Sequence, residues 1–440
     1  MKPASGKINV FWFRRDLRLE DNCGLFNALA SQNLVLPIFI FDSDILDRLE
    51  DKNDRRVEFI YNAVEEIRNE LIKHGSSLLV MHLKPIDAFK QLIKQFNIEE
   101  VFTNHDYEPY AIRRDSAVKD FLNSNGIGFK TYKDQVIFEK DEIVKENHSP
   151  YTIYTPYSKR WKAKLTSTDY QSFKTKRLFG NFFKTKPFKI PFLKDIGFIK
   201  TGESIPSREL RKNIIMRYEK NRDYPAIEGT SRLSVHLRFG TISIRKLVNE
   251  ALKLNKKWLD ELIWREFYMM ILFHYPRVVN YSFRSEFDNI KWRNNENEFL
   301  AWCEGKTGYP MVDAGMRELN ETGYMHNRAR MITASFLTKH LLIDWRWGET
   351  YFTSKLLDYE LASNNGNWQW AAGTGCDAAP YFRIFNPDTQ QKKFDPEFKY
   401  IQKWVVEFNS PEYPRPIVEH SFARSRAIEA YRKAIEKYKS

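Results

Sequence analysis

Ile8-Asn9-Val10-Phe11-Trp12-Phe13, followed at once by Arg14-Arg15-Asp16-Leu17-Arg18, reads as a buried strand running into a charged turn. A short, almost wholly apolar run of this kind suits a strand covered on both faces. Further runs at residues 34–41, 78–81 and 101–103 alternate with helical patterns, one of which places Val57, Ile60, Val64, Ile67 and Leu71 at steps of three and four. Strands that alternate with helices imply a parallel sheet with helices on its faces. The spacing therefore predicts an α/β domain, Rossmann-like in its layering, over residues 1–130. The charged turn stands where a dinucleotide fold would carry GxGxxG, and the chain has no GxxxxGK[ST] either, so neither phosphate loop is present.

Beyond about residue 205 the strand signals stop, and amphipathic helical patterns continue to residue 440, broken by stretches such as Gly305-Lys306-Thr307-Gly308-Tyr309-Pro310. An all-helical second domain is expected over 205–440, joined to the first by a basic linker over 131–204. A chain of 440 residues exceeds what one core usually accommodates, which agrees with two domains. The net charge of +13 favours a polyanionic partner. Much of it falls in residues 159–200, which carry twelve Lys or Arg against Asp169 and Asp195. No apolar run approaches the roughly 20 residues of a membrane span, and Met1-Lys2-Pro3-Ala4-Ser5 leads into the first strand without a signal-peptide pattern. The protein is expected in the cytoplasm, away from membranes, as a monomer. Cys23, Cys303 and Cys376 form no CxxC pair, the nine histidines are scattered, and no metal site is expected.

Three polar and aromatic constellations stand out against this background. In residues 259–274, Glu261, Trp264, Arg265 and Tyr268 fall at i, i+3, i+4 and i+7, on one helical face. Tyr324-Met325-His326-Asn327-Arg328-Ala329-Arg330-Met331 and Asn364-Asn365-Gly366-Asn367-Trp368-Gln369-Trp370 combine amides, guanidinium groups and indoles. Core packing favours residues without polar atoms, so these clusters suit a planar ligand with hydrogen-bonding edges. Eleven Trp and 15% aromatic residues point the same way.

The opening Val10-Phe11-Trp12-Phe13-Arg14-Arg15-Asp16-Leu17-Arg18 resembles the start of the photolyase and cryptochrome family. The resemblance continues in order through Tyr151-Thr152-Ile153-Tyr154-Thr155-Pro156-Tyr157, Glu228-Gly229-Thr230-Ser231-Arg232-Leu233-Ser234 and Glu261-Leu262-Ile263-Trp264-Arg265-Glu266-Phe267-Tyr268. It ends with the two clusters above and Asp377-Ala378-Ala379-Pro380-Tyr381-Phe382-Arg383. Such a family implies an antenna-type α/β domain and a helical domain holding FAD, active as the reduced anion. By that resemblance Tyr218, Thr230, Ser231, Arg232, Leu233, Ser234 and Trp258 surround the cofactor, with the 230–234 turn at its pyrophosphate. Arg330, Asp358, Tyr359 and Glu360 complete the pocket, and Asn364 faces the reactive ring nitrogen. The family more often has Asp at the position of Glu360.

Resemblance also implies the chemistry: light-driven electron transfer from reduced FAD to a cyclobutane pyrimidine dimer flipped out of DNA, with electron return after the ring splits, a carbon–carbon lyase reaction. Base flipping is a property of photolyases as a class. Glu261, Asn327, Met331, Trp264, Trp370 and Asn364 are the implied catalytic set. Arg222, Glu261, Trp264, Arg265, Tyr268, Asn327, Arg328 and Trp370 are implied to meet DNA. Trp368, Trp345 and Trp292 match the family's indole chain from flavin to surface, while Tyr324 stands where many relatives have Trp. The (6-4) photolyases carry two histidines where this chain has Asn327 and Met331. Plant-type cryptochromes carry an acid at the position of Asn364, and DASH cryptochromes lose the paired indoles retained here as Trp264 and Trp370. Repair is favoured over the alternative, a blue-light sensor that binds FAD without repairing DNA. A second, antenna chromophore is implied, either a deazaflavin or a reduced folate. Ala111 stands where a folate-binding pattern has Glu, and Asp106 and Glu108 better suit a deazaflavin.

Overall fold

The computed structural model describes residues 6–202 and 205–439. The extreme N-terminal residues read for a leader lie outside the described residues. Two compact units emerge from the contacts, one built from Met1–Glu139, Leu165–Glu209 and Arg232–Glu250, the other from Lys140–Lys164, Leu210–Ser231 and Ala251–Ser440.

The first unit holds five parallel strands, β1 (Ile8–Phe13), β2 (Val35–Asp42), β3 (Leu79–Leu83), β4 (Ile98–Asn104) and β5 (Gly128–Tyr132). Their spatial order is β3-β2-β1-β4-β5, with Val10 opposite Leu36 on one side and Val101 on the other. Central β1 and its neighbour β2 are buried at every residue, as a sheet covered on both faces requires. On one face Ile8, Val10, Trp12, Leu36 and Ile38 pack against Phe89, Leu92, Val118 and Leu122. These last four belong to the helices α3 (Pro85–Gln95) and α4 (Pro109–Ser124), which follow α1 (Cys23–Leu29) and α2 (Arg55–Lys73).

The periodicity over α2 holds in detail, since Val57, Val64, Ile67 and Leu71 are buried and Ile60 is half-buried. Strand β5 carries little signal in the sequence, because Gly-Phe-Lys-Thr-Tyr is short and exposes Lys130 and Thr131. It exists by pairing with β4 along Glu100 to Asn104. Within the stretch read as a basic linker, Phe179, Phe182, Leu193, Ile196 and Phe198 are buried in this unit. Its lysines remain on the surface while the interleaved apolar residues are anchored, so local charge alone concealed the packing.

The second unit is helical, with no strand among its described residues. Its relevant elements are α5 (Tyr154–Lys164), α6 (Lys256–His274), α7 (Pro310–Thr322), α8 (Asn327–Ser335), α9 (Trp345–Lys355), α10 (Leu361–Ala372) and α11 (His420–Lys439). Trp302, Met316, Leu337, Trp345, Phe352 and Trp368 form the centre of its core. Two glycines set how closely α10 approaches its neighbours. A Cβ on Gly348 of α9 would lie 2.1 Å from the Trp368 ring and 2.5 Å from Leu337, and one on Gly366 would lie 2.2 Å from the Tyr268 ring.

Gly348→Ala should therefore destabilise the helical unit by about 1–3 kcal/mol, the usual cost of forcing extra volume into a packed core. Adding Trp368→Phe should recover part of the loss by freeing space at the same contact. An unchanged denaturant midpoint for Gly348→Ala would show that α9 and α10 can separate at no cost.

No described helix is long and apolar enough to cross a membrane, and the described residues contain no group of three His, Cys, Asp or Glu placed to hold a metal.

Candidate functional site

Helices α8 and α10, together with the end of α9 and the segment that follows it, line one cavity in the helical unit. Asn327, Arg330 and Met331 enter from α8, Asp358, Tyr359 and Glu360 from the segment before α10, and Asn364, Trp368 and Trp370 from α10. The polar clusters at 324–331 and 364–370 thus meet in space. The helical repeat sorts the second cluster: Ser363, Asn364, Asn367, Trp368, Trp370 and Ala371 face the cavity. Asn365 and Gln369 turn away, donating to the Val278 carbonyl at 3.0 Å each, and the Gln369 carbonyl accepts from the Phe283 N–H at 2.8 Å. Those two amides are structural, which the sequence cluster by itself did not distinguish.

Asn364, Arg330 and Glu360 in the cavity are each oriented by neighbours. The Asn364 amide nitrogen donates to the Glu349 carbonyl at 3.2 Å, to Glu349 Oε1 at 2.9 Å and to Thr353 Oγ1 at 3.4 Å. Three oxygens around one nitrogen fix the amide's orientation, so Oδ1 is the atom left to accept a hydrogen bond. Glu349 is a site residue that the sequence patterns missed, and burial raises its pKa. One Arg330 nitrogen donates to both oxygens of Asp358, at 3.0 and 3.1 Å, while Nε donates to the Met325 carbonyl at 2.8 Å. Glu360 accepts from Arg265 at 3.1 Å and from the Ser363 hydroxyl at 3.0 Å, a pair of contacts that the longer side chain reaches from its buried position. Asn327 Nδ2 lies 3.8 Å from Met331 Sδ, one helical turn on, which places amide and thioether side by side at the cavity mouth. His326 caps α8 by accepting from the Arg328 N–H at 3.1 Å.

On α6 the four residues expected on one face have separate roles. Trp264 stacks on Tyr154 with centroids 3.6 Å apart and planes 4° from parallel. Tyr154 is itself held by its hydroxyl, which donates to the Asp260 carbonyl at 2.9 Å, and by its N–H, which donates to Asp377 at 3.0 Å. A second ring can use only the other face of Trp264. Glu261 is ion-paired with Arg222, and burial raises its pKa against the pull of that cation. Two of the expected DNA contacts need correction. Tyr268 is buried at 5% exposure, packed against Gly366 and the Trp264 ring, and Arg265 points inward to Glu360. Both support the site from behind instead of facing a macromolecule. Arg328 pairs with Asp223 at 2.7 Å and lies 4.0 Å over the Phe394 ring. Its buried Nε has no protein acceptor.

Trp368 and Trp345 are buried in one core, against which Trp292 and Trp347 pack with partial exposure. The Nε1 atoms of Trp345 and Trp368 have no acceptor, although buried N–H groups are nearly always paired. Without an acceptor, an oxidised indole at either position has no immediate route for losing its proton. A fourth indole, Trp302, lies 6.1 Å from Trp368 and donates to the Thr333 carbonyl at 3.1 Å. No motif in the sequence marked Trp302.

Other expected cofactor residues are placed as follows. Trp258 is buried in the first turn of α6, whose N-cap Asn255 accepts from its N–H at 3.1 Å. Tyr218 is half-buried with Arg222 over its ring at 5.4 Å. In the turn that follows, Thr230 Oγ1 lies 3.3 Å from the Tyr324 hydroxyl, and Gly229 is required because a Cβ would sit 2.8 Å from the Asn221 carbonyl. Arg232 then adopts φ 52°, followed by Leu233 at φ −85°, ψ 1° and the helical Ser234. A left-handed residue followed by a right-handed one turns successive N–H groups to one side, a backbone form that binds anions. Taken separately, the Arg232–Leu233 backbone suits an anion such as a pyrophosphate, and Asn364 Oδ1 suits a ring N–H donor such as a flavin offers.

In the α/β unit, the strand order reverses between β1 and β4, where open parallel sheets bind ligands beyond the strands' carboxyl ends. Ion pairs among the protein's own residues lie just beyond these strand ends. Arg14 pairs with Asp115, and Arg15 pairs with Asp106 at 3.1 Å and Glu108 at 2.9 Å. Arg238 also binds Glu108, at 2.6 Å. Burial pushes the Asp106 pKa upward, but Arg15 and Arg14 overcome it and hold the group below the usual carboxylate range. Asp106 and Glu108, expected to suit a deazaflavin, are thus committed to arginines.

A parallel α/β unit and a helical unit with this cavity define a flavin-dependent class of light-using proteins that includes photolyases and cryptochromes. A family model described as DNA photolyase matches residues 9–176, and one described as the FAD binding domain of DNA photolyase matches residues 258–412. The chain is 36% identical to the deoxyribodipyrimidine photo-lyase of Halobacterium salinarum, over 97% of this chain and 99% of that one. It superposes on a class III photolyase from Agrobacterium tumefaciens with a TM-score of 0.88 at 31% identity, covering 99% of each chain. An archaeal photolyase from Sulfolobus tokodaii, solved with two FAD molecules, gives 0.81 at 36% identity over 97% of this chain and 99% of that one. The chain belongs to the DNA photolyase family and carries its FAD-binding domain.

Proposed function

We propose that the protein uses blue light to split cyclobutane pyrimidine dimers in DNA, a deoxyribodipyrimidine photo-lyase activity. The observation that carries this is the meeting of Asn327, Met331 and Trp370 with Asn364 in one cavity. FAD held there as its reduced anion would supply light-driven donation and recovery of one electron. The protein's residues bind and orient. Trp370 and the free face of Trp264 clamp the flipped pyrimidines, while Asn327 and Glu261 address their polar edges and Met331 packs beside them. Asn364 Oδ1 would accept from the flavin ring, Arg330, Asp358, Tyr359 and Glu360 would hold its surroundings, and the 230–234 turn would take the pyrophosphate. Tyr218 and Trp258 flank the cofactor. Arg222 and Arg328 contact the DNA backbone.

The α/β region over 1–130 serves as the antenna domain, joined by the 131–204 segment to the catalytic region over 205–440. A deazaflavin or reduced folate is the second chromophore, and the working form is a cytoplasmic monomer.

Flavin-loaded, reduced protein should restore dimer-containing oligonucleotides under blue light and leave them unchanged in the dark. Loss of flavin absorption on purification, or bound flavin without repair, would overturn the assignment. The second outcome would favour the blue-light sensor.

A further inference from the structure

A groove of about 430 Å³ runs along α11 beside Trp292, within the size range of small-molecule sites. It is lined by Lys291, Arg426, Lys433 and Lys437, with Glu429 as its one carboxylate, together with Asn289, Ala430 and Ala434. Glu429 pairs with Lys433 at 2.6 Å, and four cationic side chains face one carboxylate across the groove. The Arg426 Nη2 donates to the His340 carbonyl, and its buried Nε has no protein acceptor. Burial, and after it the Arg293 charge, lower the Arg426 pKa against the pull of Glu298.

The position of the groove matters more than its charge. Lys291 precedes Trp292 in the chain, and Trp292 packs against the cluster formed by Phe287, Ile290, Leu342, Tyr431 and Ala434. Ala434 belongs to both the groove wall and that cluster, and the Trp292 ring meets the Tyr431 ring edge-on at 6.0 Å. The groove thus abuts the partly exposed Trp292.

We propose that this groove docks a small anionic one-electron reductant that returns oxidised Trp292 to its neutral state. The inference rests on Trp292 being the outer terminus of the electron path. In the step, the anion loses one electron and the Trp292 radical cation gains it, with no bond made or broken on the protein. Lysines draw the anion in, and Arg426 adds its charge from the groove wall.

The test follows photoreduction of the oxidised, flavin-loaded protein with ascorbate as the anionic donor and ferrocenemethanol as the neutral one. In the unaltered protein the second-order rate with ascorbate should fall as salt rises, while that with ferrocenemethanol stays flat. The double variant Lys291→Glu/Lys437→Glu should lower the ascorbate rate about tenfold at low ionic strength, within the range of electrostatic steering. Ferrocenemethanol should be unaffected. A salt-independent ascorbate rate, or equal slowing of both donors in the double variant, would overturn the docking site. Should the variant lose flavin, the salt dependence of the unaltered protein decides alone. Trp292→Phe separates the two claims, because retained photoreduction in that variant removes the terminus itself, whereas lost photoreduction with donor-independent lysine variants removes only the groove.

Discussion

In Trp292→Phe, light-driven reduction of the oxidised flavin by an external donor should slow by roughly tenfold or more, equivalent to about 1.4 kcal/mol or more on the barrier. Phenylalanine keeps an aromatic ring to meet Tyr431 edge-on and to cover Phe287 and Ile290, so the fold and flavin content should persist. What it removes is the easily oxidised indole. Enzyme reduced beforehand with dithionite should repair dimers at the unaltered rate, because repair draws on the flavin and not on the chain that recharges it. Normal photoreduction in the variant would show another route, for which Trp347 and the buried Trp302 next to Trp368 are the available indoles. Lost repair in the pre-reduced variant would mean that Trp292 serves the structure.

Trp264→Ala should weaken binding to dimer-containing DNA by roughly five- to 150-fold, the loss expected when about 1–3 kcal/mol of base stacking is removed. Flavin content should hold, since Trp264 does not line the cavity that collects Asn364, Arg330 and Asp358. The indole's inner face is already taken by Tyr154, which makes it a rigid platform whose ordering cost is met before the lesion arrives. Trp264→Phe should recover part of the affinity by restoring a flat apolar face. Equal lesion binding in Trp264→Ala and the unaltered protein would remove Trp264 from the substrate site.

Local patterns determined a good deal by themselves. The four apolar runs and the 3.6-residue period over Val57, Val64, Ile67 and Leu71 announced a parallel α/β unit, because strand and helix periodicities are properties of consecutive residues. The loss of strand signals after about residue 205 likewise announced the helical unit. The clusters at 324–331 and 364–370 declared a polar and aromatic site, since such residues are poor material for a core. Pairing and depth were decided only in three dimensions. Strand β5 exists through its partner β4, and the apolar residues of the basic segment are anchored by a unit distant in sequence. Asn364 and Asn365 are chemically identical neighbours, yet one faces the cavity and the other ties down the Val278 loop, because 100° of helical rotation separates them. Glu349 and Trp302 gave no signal, and Tyr154 stood in a family-like stretch without a marked role, as each acquires its role from a contact with a residue more than ten positions away. Tyr268 and Arg265 share a helical face with Trp264, but that face is turned toward α10, and the close approach permitted by Gly366 buries the tyrosine while Glu360 draws the arginine inward.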